Sequence, residues 1–201
     1  MTPAKTHWIA LLSALLLTAA SPTPAAPASA FNGVELGVNA SYAQDFRLTD
    51  HDGQTRSLAD YRGKAVLLFF GYLQCPNFCP ITLARLAEAM QLLGADAQRV
   101  QVLFITVDPE RDPPQALKEY VTNFHPSFVG LHTTPAATPE LALKFRVYYR
   151  KVAGTTPGNY HIDHAVFSYA YDPTGRLRLR LSDSLSAADI AADLRRLLQP
   201  N

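Results

Sequence analysis

The chain has 201 residues, 48% of them hydrophobic, and a formal net charge of +1. That length suits one domain of ordinary size with a real core. The near-neutral balance, without a Lys/Arg run or aromatic–basic interleaving, argues against a nucleic-acid surface, and two cysteines are too few for a disulfide scaffold.

Residues 1–30 read as a secretory leader. Lys5 precedes an apolar run over 8–20, and a Pro/Ala-rich stretch ends in Ala28-Ser29-Ala30. This is the order of charged region, apolar region and A-x-A cleavage site. The run is shorter than the roughly 20 residues a spanning helix needs. Cleavage after Ala30 is expected, leaving a mature domain over 31–201; an uncleaved anchor through 8–20 is the alternative. No cysteine lies near Ala30, against lipid attachment, and no arginine precedes Arg47, against a mitochondrial transit peptide. The mature chain is expected outside the cytosol, in a bacterial periplasm, where disulfides persist.

Residues 31–43 lack periodicity and read as an extended lead-in. "DFRLTDHDGQTRSL" places Asp52-Gly53 between two strand-like runs, a hairpin signal. "KAVLLFFGY" is a continuous apolar run between Gly63 and Gly71, expected to be a strand buried on both faces. Leu83, Leu86, Ala87 and Met90 then recur at helical spacing, and Gly94 stands at the C-terminal cap. "VQVLFITVD" is a second buried strand. Asp112 reads as an N-cap and Pro113 as the first residue of a helix to about Phe124.

"SFVGLH" is a short strand, and Thr138 caps a helix over 139–145. "VYYRKV" and "HAVFSYAYD" read as strands, with the loop "AGTTPGNY" between them. "RLRLRL" alternates as a half-solvated strand does, and Ser186 with Asp189 forms a capping box ahead of Ile190, Leu194, Leu197 and Leu198. The order predicts a single α/β domain with at least one βαβ unit.

The stretch "GYLQCPNFCPITL" carries both cysteines, Cys75 and Cys79, each followed by proline. A residue before proline is biased away from helical geometry. Cys79 is therefore expected at the N-cap, with Pro80 at the first helical position and Cys75 in the preceding loop. Helix N–H groups near Thr82 and Leu83, with the helix dipole, then favour thiolate. Three uses compete. A structural disulfide would close too short a loop to constrain the unfolded chain much. A redox pair is the second. The third is a metal clamp, for which two thiolates and an imidazole suit Cu(I), while structural zinc wants four protein ligands.

Of the histidines, His7 lies in the leader, His51 in a turn expected to be solvated, His125 at a helix end and His132 at a strand end. "YHIDHAVFSY" offers His161 and His164, and spacing alone does not choose between them. Asp108 ends the second buried strand. If the two buried strands are parallel, it lies on the same edge as the cysteines, where α/β sheets gather ligands. It then supports the ligands from behind, or merely starts an Asp-Pro turn.

Three segments, "FFGYLQCPNFCPITL", "VLFITVDPERDPPQALKEYVTNFHPSFVGL" and "YHIDHAVFSYAYDPTGRL", together resemble the Sco/SenC family of copper chaperones over about residues 65–177. The resemblance implies a thioredoxin-like fold with an added β-hairpin. It implies that Cys75, Cys79 and His164 bind copper, as Cu(I) or Cu(II), with Asp108 beside the site. It further implies assembly of the binuclear copper site of cytochrome c oxidase subunit II, with another periplasmic copper chaperone as a candidate donor. The chain is then a metallochaperone, expected to be a monomer, whose two thiols also reduce the cysteines of that copper site. The rivals are a periplasmic thiol–disulfide oxidoreductase and a redox or copper sensor. The first lacks its C-x-x-C motif here, and its cis-proline has only Pro157 as a candidate.

Overall fold

The computed structural model describes residues 1, 31–37, 40–156 and 159–199. The leader-like segment over 2–30 and Pro157 lie outside the described residues.

Strand β1 (Val34–Glu35) is followed by the hairpin of β2 (Arg47–Asp50) and β3 (Thr55–Ser57). Gly53 makes its turn at φ 81°, a conformation that costs glycine no steric clash. Then come β4 (Ala65–Gly71), α1 (Phe78–Leu93), β5 (Val100–Thr106), α2 (Pro114–Phe124), β6 (Val129–His132) and α3 (Thr138–Lys144). The chain ends with β7 (Tyr149–Ala153), β8 (Tyr160–His164), β9 (Ser168–Tyr171), β10 (Leu177–Leu181) and α4 (Ala187–Leu197).

Eight strands form one sheet in the order β1-β10-β9-β4-β5-β6-β2-β3. The apolar runs β4 and β5 lie at its centre, and every residue of both is buried. They pair in parallel, from Ala65 opposite Val100 to Gly71 opposite Thr106, and β6 continues the parallel set. A parallel pair needs a crossover, and α1 supplies it. Both strands therefore end on the same edge, as the expected βαβ unit requires. Leu83, Leu86 and Met90 of α1 are buried, and α1 packs against α4 and α2. Leu179 and Leu181 of β10 are buried while Arg180 is exposed, the expected half-solvated alternation.

Several boundaries differ from the sequence reading, and Thr138, expected as a cap, is the first residue of α3 with Ala137 at the N-cap. Helix α1 starts earlier, with Asn77 at the N-cap, which puts Cys79 and Pro80 in its first turn. Pro80 is tolerated there because the first intrahelical bond is Ile81 N–H to the Asn77 carbonyl (3.3 Å); residues before it have no intrahelical acceptor to lose. Helix α2 starts one residue later, at Pro114, and Asp112 turns its side chain inward. "YHIDH" is a strand of its own, so the following one begins only at Ser168. It pairs with β7 in a separate two-stranded sheet, from Tyr149 opposite His164 to Ala153 opposite Tyr160.

Candidate metal centre

The cysteines sit where β4 passes into α1, on the sheet edge that β5 shares. Cys79, in the first turn of α1, is fully buried, and Cys75 nearly so. The N–H of Cys79 points at the Cys75 sulfur at 3.5 Å. The amides that serve this sulfur are those of Cys79 and Asn77, not those near Thr82 and Leu83, because the helix begins before the second cysteine.

His164 arrives from the far end of the chain as the last residue of β8. Its Nε2 is 3.5 Å from the Cys79 sulfur and 3.7 Å from the Cys75 sulfur. Its Nδ1 lies 2.9 Å from the carbonyl oxygen of Ala165. An Nδ1–H donating there fixes the tautomer and turns Nε2, with its lone pair, toward the sulfurs. The ring is held edge-on by Tyr72 (centroids 5.6 Å apart) and Phe69 (6.2 Å). Spacing left His161 and His164 equal. The strand separates them: His161 is exposed and pairs with Asp163 (3.5 Å), while His164 turns inward.

The three ligand atoms lie within 4.8 Å of one another. Donors sharing one ion at bonds of 2.0–2.3 Å stand about 3–4 Å apart, so the set fits a single small cation. It is the soft S, S, N set that favours Cu(I). A cleft of about 280 Å³ leads to it, lined by Tyr72, Cys75, Asn77, Phe78, His161 and His164 among others. Cys79 does not line the cleft and is fully buried.

The charge on the sulfurs is unequal. Cys75 is held down at about 3, first by its contact with Cys79 and further by the amides of Cys79 and Asn77, against the effect of burial. Cys79 is pushed far up by the same contact and by its burial. The contact between the sulfurs therefore favours the thiolate at Cys75, which faces the cleft, and the thiol at the buried Cys79.

These features have relatives. A profile described as SCO1/SenC matches residues 35–199. The chain belongs to the SCO1/SenC family. It is 39% identical over 154 residues to the mitochondrial protein SCO2 homolog of Mus musculus, covering 76% of this chain and 60% of that protein's length. The chain thus spans under two thirds of that relative. The copper-bound ScoI of Bradyrhizobium japonicum is 37% identical with a TM-score of 0.70, covering 76% of this chain and 97% of its own. The apo Sco1 of Thermus thermophilus is 41% identical with a TM-score of 0.73, covering 83% and 96%. The fold shared with these SCO1/SenC structures is the expected thioredoxin-like one.

Asp108, expected beside the site, is not one of the three converging ligands. It is fully buried two residues past β5. Its carboxylate accepts from Arg111 Nε (2.5 Å) and from the Tyr160 hydroxyl (2.7 Å). Asp112 comes closer to the cysteine loop. Its Oδ2 accepts from the Leu73 N–H (3.1 Å) and the Thr106 hydroxyl (2.5 Å), while Oδ1 has no partner among the described residues. Burial raises its carboxyl to about 6, against those hydrogen bonds.

Sequence reasoning missed Asp112, Tyr72, Arg111 and Tyr160 as supports of the site. The one available signal was adjacency: Tyr72 precedes the cysteine loop, and Arg111 and Asp112 share the Asp108 segment. His51 also differs from expectation. Its side chain is 7% exposed and its Nδ1 accepts from the Gly130 N–H (3.1 Å), because β2 pairs with β6 and brings the turn against that strand.

Proposed function

We propose that the chain is a copper-binding chaperone for cytochrome c oxidase, delivering to the binuclear copper site of subunit II. The observation that carries this reading is the convergence of Cys75, Cys79 and His164 within 4.8 Å at the base of one cleft. Copper is the cargo. Two sulfurs and one imidazole bind Cu(I) firmly yet leave the cleft side open. A thiolate of the partner can enter past Phe78 and exchange with one ligand at a time. The copper-bound family structure from Bradyrhizobium japonicum supports this choice of metal. Asp108 supports the ligands from behind without touching the ion.

Thiol reduction is the second activity, favoured by the Cys75 thiolate at the cleft. Cys75 attacks one sulfur of a target disulfide, that S–S bond breaks, and a mixed disulfide forms. Cys79 then attacks the Cys75 sulfur. The chain is left with a Cys75–Cys79 disulfide, and the target leaves as a dithiol with two electrons from the pair, one proton from Cys79 and one from solvent. The chain acts as a monomer in the bacterial periplasm, exported by the 1–30 leader. No helix among the described residues is long and apolar enough to cross a membrane.

Cu(I) competition titration tests the reading. One copper per chain is expected, with affinity falling more than about 100-fold in Cys75→Ala, Cys79→Ala and His164→Ala, beyond the usual cost of losing an outer partner. Undiminished affinity in His164→Ala would overturn the three-ligand centre. A wild-type chain that binds no copper but reduces protein disulfides would make it an oxidoreductase.

A further inference from the structure

His164 is carried by an arm. Strands β7 and β8 pair only with each other and share no ladder with the eight-stranded sheet. A lone two-stranded hairpin is marginal in water, so its docking decides where the imidazole sits. Among the described residues, two side chains of the main body hydrogen-bond the arm's backbone. The Tyr72 hydroxyl accepts from the Ile162 N–H (3.2 Å), and Arg111 Nη1 donates to the Tyr160 carbonyl (2.9 Å).

Arg111 grips the same residue a second and a third way. Its guanidinium carbon lies 3.5 Å from the centroid of the Tyr160 ring. Its Nε bonds the buried Asp108, whose other oxygen accepts the Tyr160 hydroxyl. Arg111 is therefore bound at once to the β5 edge and to the start of β8. Its buried Nη2 has no partner among the described residues, so the bonds named here fix the group. From Tyr160 the strand runs straight to His164, and Asp108 sits two residues beyond β5, the strand beside β4, which leads into the cysteine loop.

We infer that Arg111, stacked on Tyr160 and anchored on Asp108, is the positioning residue that latches the β7–β8 arm and so holds His164 against the two cysteines. This deepens the copper reading and rests on it for the identity of the bound metal, but not for the latch. A stack plus two charge-assisted bonds is directional and cooperative. Lysine can supply the charge but neither the planar stack nor the fork.

The test uses the whole exported chain as wild type, Arg111→Met, Arg111→Lys and Tyr160→Phe. The first readout is amide hydrogen exchange of the metal-free protein. In Arg111→Met the β7 and β8 amides should exchange faster by about tenfold or more, the factor one charge-assisted hydrogen bond supplies. Protection in β4 and β5 should stay as in wild type. The second is Cu(I) affinity, which should fall by about tenfold to 100-fold, the range for an outer partner of a ligand. Arg111→Lys should not restore either quantity, and Tyr160→Phe should move both by less. Unchanged arm exchange in Arg111→Met would overturn the latch, and so would a loss of protection spread evenly over β4 and β5. Should Arg111→Met not fold, Tyr160→Phe decides: wild-type exchange and affinity there also overturn it. A wild type that takes up no copper would defeat the chaperone reading while leaving the exchange arm of the test intact.

Discussion

The two cysteines share a motif and differ in chemistry. Cys75 faces the cleft and favours the thiolate, held well below the ordinary thiol range by Cys79 and two amides. Cys79 is buried and kept protonated by the same contact. A thiol of ordinary pKa, about 8.5, loses its thiolate tenfold per pH unit on acidification, whereas Cys75, held well below that range, keeps its thiolate through neutral and mildly acidic pH. With metal-free, reduced protein, iodoacetamide should modify Cys75 ahead of Cys79. Its rate should change little between about pH 8 and pH 5. Mass spectrometry after brief alkylation reads this directly. Modification of Cys79 first, or a rate that collapses below pH 8, would mean that the hydrogen bond between the sulfurs is wrong.

At the scale of elements, the end of β4 and the first turn of α1 are packed so closely that glycine is required between them. A Cβ on Gly71 would lie 2.6 Å from the Cys79 sulfur and 2.7 Å from a ring carbon of Phe104. Both neighbours are fully buried, so neither can swing away into solvent. Gly71→Ala should then destabilise the fold by about 1–3 kcal/mol through overpacking, read from the urea midpoint. It should also displace Cys79 and weaken Cu(I) binding, although residue 71 offers no ligand. Wild-type stability and affinity together would show that the helix start yields more easily than this packing implies.

For the molecule as a whole, the N-terminal segment is tied to the far end of the chain. Asp193 of α4 is fully buried. It accepts from the N–H groups of Asn32 (2.9 Å) and Gly33 (2.8 Å), and β1 then pairs with β10. The anchored segment thus begins two residues after the A-x-A site. A mature chain starting at Phe31 would keep every one of these bonds. The exported protein is expected to be recovered soluble with Phe31 as its first residue, as N-terminal sequencing or intact mass would show. Recovery of residues 1–30 on a membrane-bound product would make the 8–20 run an anchor instead.

Much of this was legible along the chain, because apolar runs, caps and turn glycines act locally. The two buried strands, the helix between them, the Ser186–Asp189 cap and the cysteine–proline spacing are all of that kind. The resemblance in three separate segments named the family before any geometry was available. Tertiary structure alone decided what depends on long-range approach. It turned His164 toward the sulfurs and His161 away from them, in line with the resemblance that already named His164 where spacing did not choose, because strand alternation sends residues an odd number apart to opposite sides. It moved Cys79 into the first turn of α1, since the orphan amides there tolerate Pro80. It also turned Asp112 from an expected cap into a buried carboxylate bonded to the cysteine loop. Ligand types and spacing are properties of the sequence; the unequal charge of the sulfurs and the docking of the histidine arm are properties of contacts spanning some 50 to 90 residues, and they exist only once the chain has closed on itself.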